Sequence, residues 1–188
     1  VMLVLENHEE FTGPELAAIV AEVGSPWLQV LYDYGNSQMV LEDPEDCLEA
    51  LLPHVATMHL KDHLMLRPEH SPDGRLSVLG TAVGEGALPI LPLTRRLVAA
   101  GHRRLVFESV WAYRAPVYRQ AEGVRPVTLG EGSFRWAEPP FDGRRLVNDQ
   151  AALPPEALVA GEAAAVGRGL AWLKQALTAE GWRVIAGG

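Results

Sequence analysis

The sequence predicts an α/β fold built on a parallel sheet or barrel, and three observations carry that prediction. Four apolar runs, at 1–5, 27–32, 55–60 and 105–107, lack the polar alternation of a half-solvated sheet and read as buried strands. Stretches of helical period separate them, so parallel pairing through right-handed crossovers is the expected topology. Each run also carries a metal-capable side chain at or just beyond its C-terminal end: Glu6, Asp33, His59 and Glu108. Four such residues at successive strand ends match the layout of a catalytic site on a parallel α/β scaffold.

The elements follow in order. A strand over 1–6 leads to Thr12, an N-cap with Pro14 in the first turn and Glu15 three residues on, which is the capping-box pattern. Leu16, Ile19, Val20 and Val23 give the helix 14–23 its apolar face, and Gly24 stops it. After the strand 27–33, Asp43-Pro44 opens a helix to about His54, with Cys47, Leu48, Leu51 and Leu52 as its buried stripe. The strand 55–60 delivers His59-Leu60-Lys61-Asp62. Residues 63–87 read as a long loop with a small hairpin, Asp73-Gly74 turning between Glu69-His70 and the run 76–79. A helix over 88–100, closed by Gly101, precedes the strand 104–108.

Beyond Glu108 the pattern breaks. Over 110–153 the aromatics Trp111, Tyr113, Tyr118, Phe134, Trp136 and Phe141 lie among Gly, Pro and Arg without periodicity, so an irregular lid, arm or subunit contact is expected there. A helix starting near Pro154-Pro155-Glu156 runs to about Ala179. The organisation is therefore a βαβαβαβ part over 1–109, an aromatic-rich loop over 110–153, and a C-terminal helix within 154–188 that packs on the first part.

Composition bounds the function. A chain of 188 residues, 48% apolar, suffices for one domain with a core. A formal charge of −8 argues against a nucleic-acid partner, which needs a basic face. No apolar run approaches the roughly 18–20 residues of a membrane span, so no membrane partner and a soluble, cytoplasmic protein are expected. Cys47 is the only cysteine, which leaves no internal disulfide and no thiolate cluster. Any metal must be held by oxygen and imidazole. The chain opens inside a strand without an initiator Met, and the expectation is a processed product or the downstream part of something longer.

Strand alternation sorts the candidates by face. Leu31, Gln29 and Trp27 go with Asp33; Thr57 and Val55 go with His59; Val106 and Arg104 go with Glu108. Two Glu, one Asp and one His offer three hard oxygens and one imidazole, a set that suits Mn²⁺, Co²⁺ or Mg²⁺, with zinc compatible.

Glu6-Asn7-His8, Asp33-Tyr34-Gly35-Asn36, His59-Leu60-Lys61-Asp62, Gly84-Glu85-Gly86 and Phe107-Glu108-Ser109 resemble, in order and spacing, the xylose isomerase-like TIM barrels. The nearest group is the sugar phosphate isomerase/epimerases, which include inosose dehydratase-like lyases. The resemblance implies that residues 1–109 are the last four βα units of a barrel, a half barrel, with Glu6, Asp33, His59 and Glu108 as ligands of a divalent metal. It further implies that Glu6 and Glu108 act as acid and base beside a carbonyl of a small sugar, ketose or polyol. His8, Asn36, Lys61 and Arg67 are then candidates to bind substrate, and Asp62 to orient His59 or Lys61 from behind.

Asn36 stands where the epimerase pattern has a His, which departs from a ketose 3-epimerase. An endonuclease IV-like phosphodiesterase needs a basic face and further ligands, so it ranks below the isomerase reading. A non-catalytic fragment is the third alternative. A half barrel exposes two sheet edges, which calls for self-association into a homo-oligomer or completion by another half.

Overall fold

The computed structural model describes residues 1–8, 10–117, 135–140 and 153–185. Strand β1 (Leu3–Glu6) is followed by α1 (Gly13–Val23), β2 (Leu28–Asp33), α2 (Asn36–Met39), α3 (Pro44–Leu51) and β3 (Val55–Leu60). Then come β4 (His63–Leu66), β5 (Ser77–Gly80), α4 (Ile90–Ala99), β6 (Val106–Phe107), β7 (Arg114–Pro116) and α5 (Pro155–Ala179). The parallel sheet expected from the apolar runs is present, in the order β1-β2-β3-β6. Short-range chemistry sets the helix starts. The Glu15 carboxylate accepts the backbone N–H of Thr12 at 2.8 Å, and Asp43 caps α3 by accepting the N–H of Glu45 at 2.8 Å.

The sheet register has one irregularity, and it matters. Val30 pairs with Val55, but Leu31 pairs with Thr57, so Ala56 is skipped and Asp33 comes opposite His59. The alternation expected for the third strand therefore fails at Ala56. Val55 does not share the face of His59 but lies with Val30 in the core. From Leu31 onward the parity holds: Glu6 pairs with Leu31, Asp33 with His59, and His59 with Val106, two residues before Glu108. All four candidate residues thus project from one face.

The other face is the one the helices cover. Val30, Tyr32, Met58 and Leu60 pack with Leu16 and Val20 of α1, Leu48 and Leu51 of α3, and Leu93 and Leu97 of α4. Leu173 and Leu177 of α5 join the same core, each adding roughly 1.5–3 kcal/mol by burial. Two exposed ion pairs, Arg168 to Glu85 at 2.6 Å and Arg95 to Glu180 at 2.6 Å, lie along the same helix. Gly84, at φ 90°, leaves the space that the Trp172 ring fills, so a side chain there would be both strained and in collision. The candidate-bearing face is far less covered: Val4 and Val106 are exposed, and Gln29, Leu31 and Thr57 are partly so.

A second sheet was not anticipated. The hairpin expected around Asp73-Gly74 exists, with Gly74 at φ 67°, but its first strand is β4 and not the stretch at Glu69-His70, which forms a 3-10 turn. The antiparallel order is β4-β5-β7, and Met65 bridges to Trp136 in parallel. Residues 114–116 and 135–137 of the expected irregular segment are therefore sheet edges. Tyr118, Phe134 and Phe141 lie outside the described residues. Arg114 enters β7 buried, its guanidinium donating to Ser71 Oγ at 2.8 Å and Ser77 Oγ at 2.9 Å.

His63, the first residue of β4, joins the two sheets. Its Nε2 lies 2.7 Å from Gln38 Oε1, and its ring occupies the space a side chain at Gly35 would need. Burial, helped by the Lys61 charge, pulls its pKa from 6.5 down to about 3. The unfolded chain then binds the extra proton, so this contribution to stability is complete above pH 6.5 and is lost as pH falls toward 3. Urea denaturation between pH 7 and 4 should show a steeper loss of stability for the parent than for His63→Gln, by up to about 1.4 kcal/mol per pH unit. Equal slopes would remove His63 as the source.

Candidate metal centre

The C-terminal rim of the parallel sheet gathers the chemistry. Donor atoms of Glu6, Asp33 and His59 lie within 4.8 Å of one another. Glu108 stands outside that set of three, with its Oε2 at 3.9 Å from His59 Nδ1 and 3.5 Å from Lys61 Nζ. Glu6 Oε1, on the same face but from the β1 edge, approaches His59 Nδ1 to 3.4 Å.

Asp33 is the buried member, with a side-chain exposure of 0%, against 29% for Glu6 and 37% for Glu108. Its backbone is held by Asn7, whose carboxamide accepts the Asp33 N–H at 2.6 Å and donates to the Asp33 carbonyl at 3.0 Å, continuing the ladder past the end of β1. Its Oδ1 accepts the N–H groups of Gly35 and Asn36, both at 2.9 Å. Its Oδ2 faces the rim, with Lys61 Nζ at 3.2 Å. Burial pushes the Asp33 pKa up to about 7 against the pull of Lys61 and the Gly35 N–H. Burial draws the Lys61 ammonium downward, but Asp33 and Glu108 outweigh it and hold its pKa above the ordinary value.

The donor set fits a divalent cation. Asp33 Oδ2, His59 Nδ1 and Glu108 Oε2 are buried and make no hydrogen bond, yet all three turn toward the same rim. Such atoms are costly unless something charged satisfies them. Carboxylate oxygens with one imidazole suit Mn²⁺, Co²⁺ or Mg²⁺.

The remaining candidates divide. Asn36 and Lys61 belong to the site: Lys61 Nζ donates to Asn36 Oδ1 at 2.7 Å, and Asn36 Nδ2 reaches Glu6 Oε1 at 3.4 Å. His8 is exposed beside the rim. Arg67 stacks on Trp136, 4.1 Å from the ring centroid, and lies 3.8 Å from Glu138. It makes no hydrogen bond or ion pair with the four rim residues among the described residues.

Asp62 corrects an expectation. It orients neither His59 nor Lys61, because both of its oxygens are taken by backbone N–H groups: His63 at 3.0 Å, Gly84 at 2.9 Å, Gly86 at 3.0 Å and Leu88 at 3.1 Å. It fastens the long excursion 63–88 back to the rim. Asn7 is the residue that sequence reasoning passed over as a site component. The only trace it leaves there is an amide directly after a strand-end acid.

A family model described as a xylose isomerase-like TIM barrel matches residues 1–129. Among individual proteins, the uncharacterized protein YihM of Escherichia coli K12 is 30% identical over 97 residues, which are 52% of this chain and 28% of YihM. A 3-oxo-isoapionate decarboxylase of Pectobacterium atrosepticum is 32% identical over 69 residues, 37% of this chain and 25% of the decarboxylase. The matched stretches thus span about a quarter of each relative's length, 28% and 25%. A solved xylose isomerase domain protein from Planctomyces limnophilus is similar over 56% of this chain and 37% of its own, at 22% identity and a TM-score of 0.47.

Replacing Asn7 with Ala strips both peptide groups of Asp33 of a partner. The variant is expected to lose about 1–3 kcal/mol of stability in urea denaturation. Mn²⁺ binding should weaken about 10- to 100-fold, as for other groups that fix a ligand from behind. An unchanged denaturation midpoint would show that Asn7 does not hold Asp33.

Proposed function

Because the chain belongs to the xylose isomerase-like TIM-barrel family, with the family model covering residues 1–129, we propose that its rim is a metal-assisted proton-transfer site of the sugar isomerase/epimerase kind. Glu6, Asp33, His59 and Glu108 would hold a divalent cation, and the substrate is a small sugar, ketose or polyol-derived carbonyl compound. The observation that carries this reading is the unequal exposure of the three carboxylates. Asp33 is buried and fixed by Asn7, Gly35 and Asn36, which is the condition of a holding group. Glu6 and Glu108 come from the two edge strands, are partly exposed, and flank His59 at 3.4 and 3.9 Å.

That arrangement divides the labour. A bound ion supplies positive charge where a substrate carbonyl oxygen gains negative charge. One of the two flanking glutamates removes a proton from the neighbouring carbon, and the other returns one, which moves or inverts the centre. Asn36 and Lys61 offer hydrogen-bond donors to substrate oxygens at the same rim. The decarboxylase among the relatives favours a second reading, lyase chemistry through the same kind of enolate; like dehydration, it needs the same stabilised charge and differs in the group that departs.

Two measurements test the proposal together. In a Mn²⁺ titration followed by the paramagnetic signal of the free ion, the parent binds stoichiometrically and His59→Ala binds at least about tenfold more weakly. With dihydroxyacetone in deuterated buffer, the loaded parent exchanges carbon-bound protons, and Glu108→Gln slows exchange by about 100-fold or more. Mn²⁺ binding that survives in His59→Ala would sink the site.

A further inference from the structure

Lys61 sits where the site needs a positive charge. Its Nζ lies 2.7 Å from Asn36 Oδ1, 3.2 Å from Asp33 Oδ2 and 3.5 Å from Glu108 Oε2. Those last two oxygens are the buried carboxylate atoms that make no hydrogen bond. A divalent ion and the ammonium therefore draw on the same pair of atoms. Resting on the metal-centre reading above, we propose that Lys61 holds the cation's place until the ion binds and then anchors a carboxylate on the substrate. The site then takes an acidic sugar derivative, a polyhydroxy or keto acid, in preference to a neutral sugar.

Three features of the molecule support this assignment. The first is charge balance. Glu6, Asp33 and Glu108 set against Lys61 leave two negative charges, which one divalent ion cancels, so the loaded site is neutral and does not repel a carboxylate. Without Lys61 the loaded site would be negative and would select against an acid.

The second is confinement. The Lys61 side chain is only 12% exposed, so an ammonium displaced from Asp33 stays at the rim. It keeps Asn36 Oδ1 and regains donors for an incoming anion. The third is a small cavity opening at that place, whose lining includes Asn36, Met39, Lys61, His63, Val110 and Tyr113. The His63 nitrogen nearest a partner is already engaged with Gln38. Lys61 and Asn36 are the charged group and the amide of this lining, beside Tyr113 and against walls of Met39, Val78 and Val110. An ammonium beside an amide at one end of a recess with Met39, Val78 and Val110 in its walls suits a carboxylate.

The test compares the parent with Lys61→Gln, Lys61→Met and the charge-keeping Lys61→Arg at pH 8. In a Mn²⁺ titration the two neutral variants should bind the ion at least about tenfold more tightly than the parent, with Lys61→Arg close to the parent. Two neutral variants are used so that misfolding of one, seen by circular dichroism, leaves the other to decide. The Mn²⁺-loaded proteins are then titrated with erythronate and with erythritol, a pair of equal carbon number that differs in the carboxylate, and followed by water-proton relaxation.

The parent and Lys61→Arg should favour erythronate by at least tenfold, and the neutral variants should lose most of that preference. Mn²⁺ affinity equal to or below the parent in the neutral variants overturns the place-holding role. A preference for erythronate that survives in them shows chelation by the ion alone and overturns the anchoring role. Absence of Mn²⁺ binding in all four proteins overturns the metal-centre reading itself.

Discussion

Parallel strands show alternate side chains to opposite faces, so Asp33 and His59 share a face only because the β2–β3 ladder skips Ala56. Without that skip, Leu31 would pair with Ala56 and Asp33 with Met58, and each would then lie on the opposite face from its present neighbour. The rest of the rim depends on this register. Glu6 is set by the regular β1–β2 ladder and Glu108 by the short β3–β6 ladder, both of which preserve parity. One irregularity near the middle of β2 therefore brings the buried ligand candidate opposite the imidazole. It also sends Val55 to the helix-covered core, where Val30 receives it.

Much of this was legible in the chain, for a physical reason. The strands β1, β2 and β3 are apolar nearly throughout, as in a parallel sheet, so they announce themselves in any window of their own length. Helix caps are equally local: Thr12 with Glu15, and Asp43, act within three residues. Glu6, Asp33, His59 and Glu108 were visible because each breaks or ends an apolar run with a group that costs free energy to bury.

The features that escaped the sequence reading are the ones made by distant partners. Strands β4 and β7 have four and three residues, too few for a period, and they find each other only through β5. Arg114 reads as a loop cation, but it is buried among Ser71, Ser77 and Asp73, some forty residues upstream. The skip at Ala56 has no local signature at all, since alanine fits either face. Asn7 is hidden for the opposite reason: an amide after a strand looks like an ordinary turn residue until the peptide it pairs with, 26 positions away, is known.

The two buried aspartates show how environment separates scaffold from chemistry. Burial raises both, Asp33 to about 7 and Asp62 to about 6. In Asp62 the cost is met inside the backbone, since four N–H groups close around its two oxygens and leave nothing to offer a ligand. The carboxylate works there as a rivet between β3 and the returning loop. In Asp33 the backbone satisfies only one side. Gly35 and Asn36 take Oδ1, while Oδ2 is turned to the rim with no hydrogen bond and a single ammonium beside it. A half-satisfied buried carboxylate needs a cation to complete it, and in this structure that cation is the Lys61 ammonium at 3.2 Å. A register shift, an asparagine amide and two peptide N–H groups together hold Asp33 with that oxygen open to the rim, where the four N–H groups around Asp62 leave no oxygen open.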